Sequence, residues 1–196
     1  MPTKLPDKPD FQAIEAAAID SADHRTMVLA LIGNLVFSWS NNESMFIYVL
    51  MLLLETDEVS AAIVFATLNT TRARLDLVQR LAKAKIADKG TAQVLDGLIA
   101  RFNTCTRIRN EFNHCMYVVS DRGEITHTHA MKIRESAGRL VLGEVRAVNE
   151  ARIGELVKTV EDLKILNREL WDFLPRLQAS VRSPAQGTQK AAAPSA

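Results

Sequence analysis

From Met27 to Leu54 the sequence is apolar enough to demand burial: VLALI and LVF precede a polar break, and MFIYVLMLLL follows it. The longest uninterrupted run, Met45–Leu54, is 10 residues. A membrane span needs about 20. Asn34, Ser38, Ser40, Asn41, Asn42, Glu43 and Ser44 interrupt the remainder. The segment therefore reads as one long helix inside a protein core, opening at His24 or Arg25 and ending near Glu55, with no membrane involvement. Its size bounds the fold, because a helix this long needs partners of similar length to cover it.

The rest of the chain supplies them. Thr56 reads as an N-cap, with Asp57 and Glu58 in a first turn where acidic groups favour the helix dipole. A second long helix is expected through Ile63, Leu68, Leu75, Val78 and Leu81 to about Ile86, on a spacing near 3.6. Asp88 and Gly90 break the pattern, and a third helix is expected from Thr91 to Tyr117. The stretch from Met116 to Asn149 then alternates apolar and polar residues. It carries turn signals at Asp121-Arg122-Gly123 and Ser136-Ala137-Gly138, which predicts two or three short antiparallel strands. Asn149 caps a last helix with Ile153, Leu156, Val160, Leu163, Leu170, Leu174 and Leu177 on its inner side. Eight Gly and six Pro in 196 residues are too few for an all-β chain. The expectation is an all-α fold: an antiparallel four-helix bundle with a small β-hairpin-like insertion, about 117–148, before the last helix.

At the ends, 1–9 reads as a flexible arm and 183–196, low in complexity, as a disordered tail. One domain is expected over 10–182, opening on a short amphipathic segment, Phe11–Ala22, capped by Asp10. The opening MPTKLPDKPD is charged and Pro-rich, unlike a targeting segment. Cys105 and Cys115 would lie about 15 Å apart on one helix, too far to bridge. Two free thiols suit a reducing cytoplasm.

The formal net charge of +1 conceals an uneven distribution. Residues 1–60 hold three basic and nine acidic residues, whereas 72–109 hold nine basic and three acidic. A basic region of that kind suits phosphate-bearing partners, though solubility alone also produces one.

Most of the chemistry lies in Asn103–Tyr117, NTCTRIRNEFNHCMY. On a helical wheel Arg109, Asn113, Thr106, Tyr117, Asn110, Asn103, His114 and Arg107 fall within one sector of about 160°. Ile108, Cys115, Phe112, Cys105 and Met116 take the other side. The polar sector holds three Asn, a Thr, a His and two Arg, with neither Lys nor carboxylate. Asn is a weak mid-helix residue, so helix stability does not explain the choice. Arg offers a planar fork to phosphate oxygens, and His exchanges protons near neutrality.

Arg109-Asn110-Glu111-Phe112-Asn113-His114 resembles the Arg-x4-6-His motif of the HEPN (higher eukaryotes and prokaryotes nucleotide-binding) superfamily, in which a polar residue follows the Arg. Arg107 also satisfies the looser spacing. The motif's position late on a bundle helix, the upstream Trp39-x3-Glu43 and the Arg-rich Thr71-Arg72-Ala73-Arg74-Leu75 are similar to bacterial members. The resemblance covers about residues 25–178. It implies a homodimeric, metal-independent endoribonuclease of defence or toxin–antitoxin biology, with no cofactor. One composite site would take an Arg and a His from each chain, and the partners would be RNA or nucleotide and a cognate antitoxin protein. His114 would then be base or acid, Arg109 would hold the scissile phosphate and Asn110 would orient the pair. Arg107, Asn113 and Tyr117 would line the substrate. A non-catalytic dimer binding nucleotide, RNA or a protein partner would keep the same residues. Many members pair with a nucleotidyltransferase, and no such domain is expected within these residues.

Two further features stand outside the motif. Glu43, in a mostly apolar helix, needs a partner, and Arg109 or Arg107, of the same or the other chain, is the expected one; the alternative is exposure at a kink around 38–44. His127 and His129 share one face of a strand, a spacing that can serve a metal. No third ligand is evident, so a solvent-facing strand edge is the simpler reading and no metal is expected.

Overall fold

The computed structural model describes residue 10, residues 12–13, 22–136 and 138–181. The expected arm, the tail and nearly all of the Phe11–Ala22 segment lie outside them. Asp10 does accept a hydrogen bond from the Ala13 amide (3.0 Å).

Five helices and five strands are present among the described residues: α1 (Ala22–Leu54), α2 (Glu58–Thr67), α3 (Thr71–Lys85), α4 (Lys89–Asn113), β1 (Cys115–Val119), β2 (Ile125–Ala130), β3 (Ile133–Ser136), β4 (Arg139–Leu142), β5 (Val145–Ala147) and α5 (Glu150–Val181). The protein is thus mostly helical with a small antiparallel sheet. No described helix is long and apolar enough to cross a membrane.

Two compact units are distinguished. A helical unit comprises 38–104 and 162–181, and a sheet-bearing unit comprises 22–37 and 105–161. Helices α1, α4 and α5 contribute residues to both.

In the helical unit, α1 ends where Glu55 takes a positive φ of 52°. The Thr56 amide reaches back to the Met51 carbonyl (3.1 Å), a hydrogen bond typical of a helix closed by a left-handed residue. The expected second helix is two helices. Asp57, not Thr56, caps α2 through the Ser60 amide (2.9 Å), and Thr70 caps α3 through the Ala73 amide (3.1 Å). Ala61 and Phe65 are the buried residues of α2, whereas Ile63, expected on that side, is exposed. What stabilises the break is Arg74, whose Nε donates to the carbonyls of Phe65 (3.2 Å) and Leu68 (3.0 Å) at the open end of α2. Its guanidinium also lies 4.4 Å from the Phe65 ring centre. The core is aromatic and aliphatic: Trp39 stacks on Phe102 (5.7 Å) and Phe46 tilts against it (5.3 Å). Leu50, Leu53, Leu95, Leu163, Leu166 and Leu170 are buried in the same unit.

In the sheet-bearing unit, strands run in the order β1-β2-β5, all antiparallel, and β3-β4 form a separate ribbon. The two turns foreseen from sequence are present, with Gly123 and Gly138 at φ 81° and 71°, a region that glycine enters without strain. Five strands replace the two or three expected. Val28, Ile125 and Val148 form a small core, with Ile32 and Ile153 against it. Asn149 caps α5 as expected, accepting from the Arg152 amide (3.0 Å).

Helix α4 ends at Asn113 rather than Tyr117. Tyr117, Val118 and Val119 favour a strand, and β2 offers them one: Tyr117 faces Thr128 and Val118 faces His127. Cys115, Met116 and Tyr117 therefore leave the helical wheel on which the sequence had placed them. Both thiols are free, although the reason is not their spacing along one helix.

Candidate functional site

The last two turns of α4 lie in the sheet-bearing unit. Cys105, Ile108 and Phe112 turn inward, Thr106, Arg109 and Asn110 are half-buried, and Arg107 and Asn113 are exposed. The division into a polar and an apolar side holds for the part of the motif that is helical. Arg109 Nη1 donates to the Asn110 Oδ1 (3.0 Å), so the residue after the arginine orients its fork.

His114 stands just past the helix. Its amide donates to the Asn110 carbonyl (3.0 Å), and its carbonyl accepts from the Met131 amide (3.3 Å). The main chain is thus fixed from both sides, while the side chain is exposed. Asn110 consequently touches both motif residues, Arg109 through its side chain and His114 through its carbonyl.

Tyr117 is placed differently from its assigned role. Its hydroxyl donates to the Phe112 carbonyl (2.6 Å), and the Cys115 thiol donates to the same oxygen (3.3 Å). Both groups close the end of α4. Burial, with the Cys115 thiol beside it, pushes the Tyr117 phenol above its ordinary range, and burial also raises the Cys115 thiol. Neither offers a proton carrier near neutral pH.

Glu43 has partners within its own unit. It belongs to the helical unit, where it accepts from Arg74 Nη1 (3.0 Å) and Thr71 Oγ1 (2.6 Å). The Arg-rich segment at 71–75 thus supplies its partner. Neighbouring Asn42 is buried and donates to the Ser38 and Leu163 carbonyls (2.8 and 2.9 Å).

The carboxylate inside the motif was overlooked by sequence reasoning. Glu111 Oε2 accepts from Arg152 Nη2 (2.6 Å) and Arg146 Nη1 (2.9 Å). Arg152 continues to Glu155, and Arg146 to Glu144 (3.1 Å). Arg152 is only 8% exposed and lies 4.5 Å from the Phe112 ring centre. Arg146 is held above the usual arginine range by its hydrogen bond to Glu144 and the Glu111 charge. The network joins the end of α4 to β5 and the start of α5. Its signal in the sequence was Arg152, a cation one turn before Leu156 on the apolar side of the last helix.

The strand that carries His127 and His129 is not an edge: β2 is the middle strand of its sheet, and both histidines, on either side of Thr128, are half-buried. His129 Nε2 lies 3.0 Å from the Gly143 carbonyl, a contact that joins β2 to the segment between β4 and β5. No group of three or more His, Cys, Asp or Glu suited to a metal occurs among the described residues.

No family model, no characterised protein and no solved structure matches this chain. Any functional reading therefore stands on the residues themselves.

Proposed function

We propose that the chain is a metal-independent endoribonuclease of HEPN type, its helices arranged as an antiparallel four-helix bundle and its site completed by a second copy. The observation that carries the reading is the joining of Arg109 to Asn110 by side chain (3.0 Å) and of Asn110 to His114 by main chain (3.0 Å), with the His114 side chain exposed. RNA contains its own nucleophile, so cleavage needs a base, an acid and a phosphate clamp. One neutral His114 takes the proton of the ribose 2′-OH as that oxygen attacks phosphorus. The other copy's His114, protonated, gives its proton to the departing 5′ oxygen. Arg109 holds the non-bridging oxygens as their charge grows. The products are a 2′,3′-cyclic phosphate and a 5′-hydroxyl. Engagement of Glu111 by Arg146 and Arg152 supports the reading, because it occupies the one carboxylate in the motif.

The test is purified protein with structured RNA in EDTA. Wild type is expected to cleave, His114→Ala to lose at least 100-fold in rate, on the order that general acid–base catalysis contributes, and Arg109→Lys to fail with it. Circular dichroism should show both variants folded, since the contacts holding His114 are main-chain. Equal cleavage by all three proteins, or activity that EDTA removes and added metal restores, overturns the proposal.

A further inference from the structure

Met116, expected from sequence on a helix, stands on β1 directly opposite His129 of β2, and Val118 stands opposite His127. On the other flank of β2, Val145 and Ala147 of β5 stand opposite His129 and His127. Opposite residues of an antiparallel pair share a face, and successive residues alternate between faces. One face of the sheet therefore carries both histidines between Met116, Val118, Val145 and Ala147. Cys115 and Tyr117 take the other face, where both hydrogen-bond the Phe112 carbonyl. The histidine face is open, with Met116, Val118 and Val145 46%, 43% and 55% accessible. The third ligand that the sequence did not supply is thus on the neighbouring strand, as a thioether.

The two rings differ in their bonding. A carbonyl oxygen only accepts, so the contact of His129 Nε2 with the Gly143 carbonyl (3.0 Å) fixes the proton on Nε2 and leaves the lone pair on Nδ1. A carbonyl behind the ring is the usual support of a metal-binding imidazole. A Cβ on Gly143 would stand 2.6 Å from the Ala130 carbonyl oxygen and 2.9 Å from that of Lys132, so glycine alone lets this support approach β2 so closely. The half-buried ring of His127 makes no hydrogen bond or ion pair among the described residues.

We propose that His127, His129 and Met116 form a binding site for a soft monovalent metal ion, Cu(I). Opposite Cβ atoms lie about 5 Å apart and His127 is roughly 7 Å along the strand from His129, a span that the unbranched, flexible Met side chain can close. A thioether beside imidazoles selects Cu(I) among the biological metals. All three ligands are neutral. The cost of holding an ion away from water grows with the square of its charge, so this set, on an apolar face, suits an ion of charge one better than Zn(II) or Mg(II). Arg146, opposite Thr128, takes the other face and is engaged by Glu111 and Glu144. The proposal uses none of the residues assigned to RNA cleavage and is read without RNA.

The experiment titrates the full chain, reduced and without oxygen, against Cu(I) held by the chromophore bicinchoninate. Wild type should withdraw one Cu(I) per chain. Met116→Leu and His127→Ala should each weaken binding by roughly 100-fold or more, because even a group that supports a metal ligand is worth about 10–100-fold. Neither substitution breaks a hydrogen bond, and circular dichroism should show both variants folded. Cys105→Ser and Cys115→Ser should bind as wild type does, which separates the site from the two free thiols. Zn(II) should displace none of the bound Cu(I). Failure to withdraw Cu(I), binding that a serine variant loses and Met116→Leu keeps, or displacement by equimolar Zn(II) each overturns the proposal.

Discussion

Phe102 and Phe112 lie on the same helix, and both are almost wholly buried, yet different chemistry covers them. Phe102, in the helical unit, meets the rings of Trp39 and Phe46. Phe112, in the sheet-bearing unit, meets the guanidinium of Arg152, itself bound to Glu111 and Glu155. The first is ordinary core packing, insensitive to salt and to moderate pH. The second is a small apolar core reinforced by half-buried charges. A guanidinium on a buried ring also occurs in the helical unit, where Arg74 lies on Phe65 and pairs with Glu43, so the contrast is between the surroundings of the two phenylalanines of α4.

The sharpest way to break this contrast is Phe102→Ala, which removes a ring from between two others. A loss of about 3–5 kcal/mol is expected, measured by urea denaturation and unchanged between low and high salt. A salt-dependent loss would mean that charges support this region too.

Glu111→Gln should cost less, about 1–2 kcal/mol, because Glu111 is partly exposed and one of its arginines is at the surface. Much of the cost is Arg152, whose side chain is 9% exposed and would lose a charged partner. The same urea titration should show the effect shrinking as salt is added. A loss as large and as salt-insensitive as that of Phe102→Ala would remove the distinction between the two surroundings.

The smallest effect is expected at Asp88, where α4 begins. The Thr91 hydroxyl, followed by the Thr91 and Gly90 amides, hydrogen-bonds its carboxylate and holds the pKa down to about 2. A depressed carboxylate contributes stability above its ordinary value of 3.8, and that stability is lost as pH falls toward 2. Asp88→Asn should therefore lower the melting temperature by about 2–4 °C at pH 7 and by progressively less between pH 4 and pH 2. A pH-independent difference in melting scans would show that the charge itself is not what matters.

The helical framework was legible because its signals are local. Asn149 caps the helix it precedes, Gly123 and Gly138 mark turns where only glycine is unstrained, and the inner side of α5 repeats at helical spacing. The break at Leu68–Thr70 was not, because its stabiliser, Arg74, lies in the following helix, and the residues that α2 buries, Ala61 and Phe65, were not those the apolar pattern singled out. Likewise, the wheel carried α4 through to Tyr117 because a wheel contains no competing strand, and only β2 makes one available. The side-chain contact between Arg109 and Asn110 was readable from adjacency. The partners of Glu43 and Glu111 were not, since Arg74, Arg146 and Arg152 are distant in sequence and several cations competed for each carboxylate.

Because α5 contributes residues to both units, neither can be complete until that helix has been synthesised. On a ribosome, the apolar run at Met45–Leu54 emerges long before the Leu163, Leu166 and Leu170 that are buried in the same unit. At roughly 5–20 residues per second that interval lasts on the order of 10 s. Throughout it the nascent chain displays a surface suited to chaperones, so its yield in the cell should depend on translation rate and on chaperone supply as much as on the stability of the finished fold.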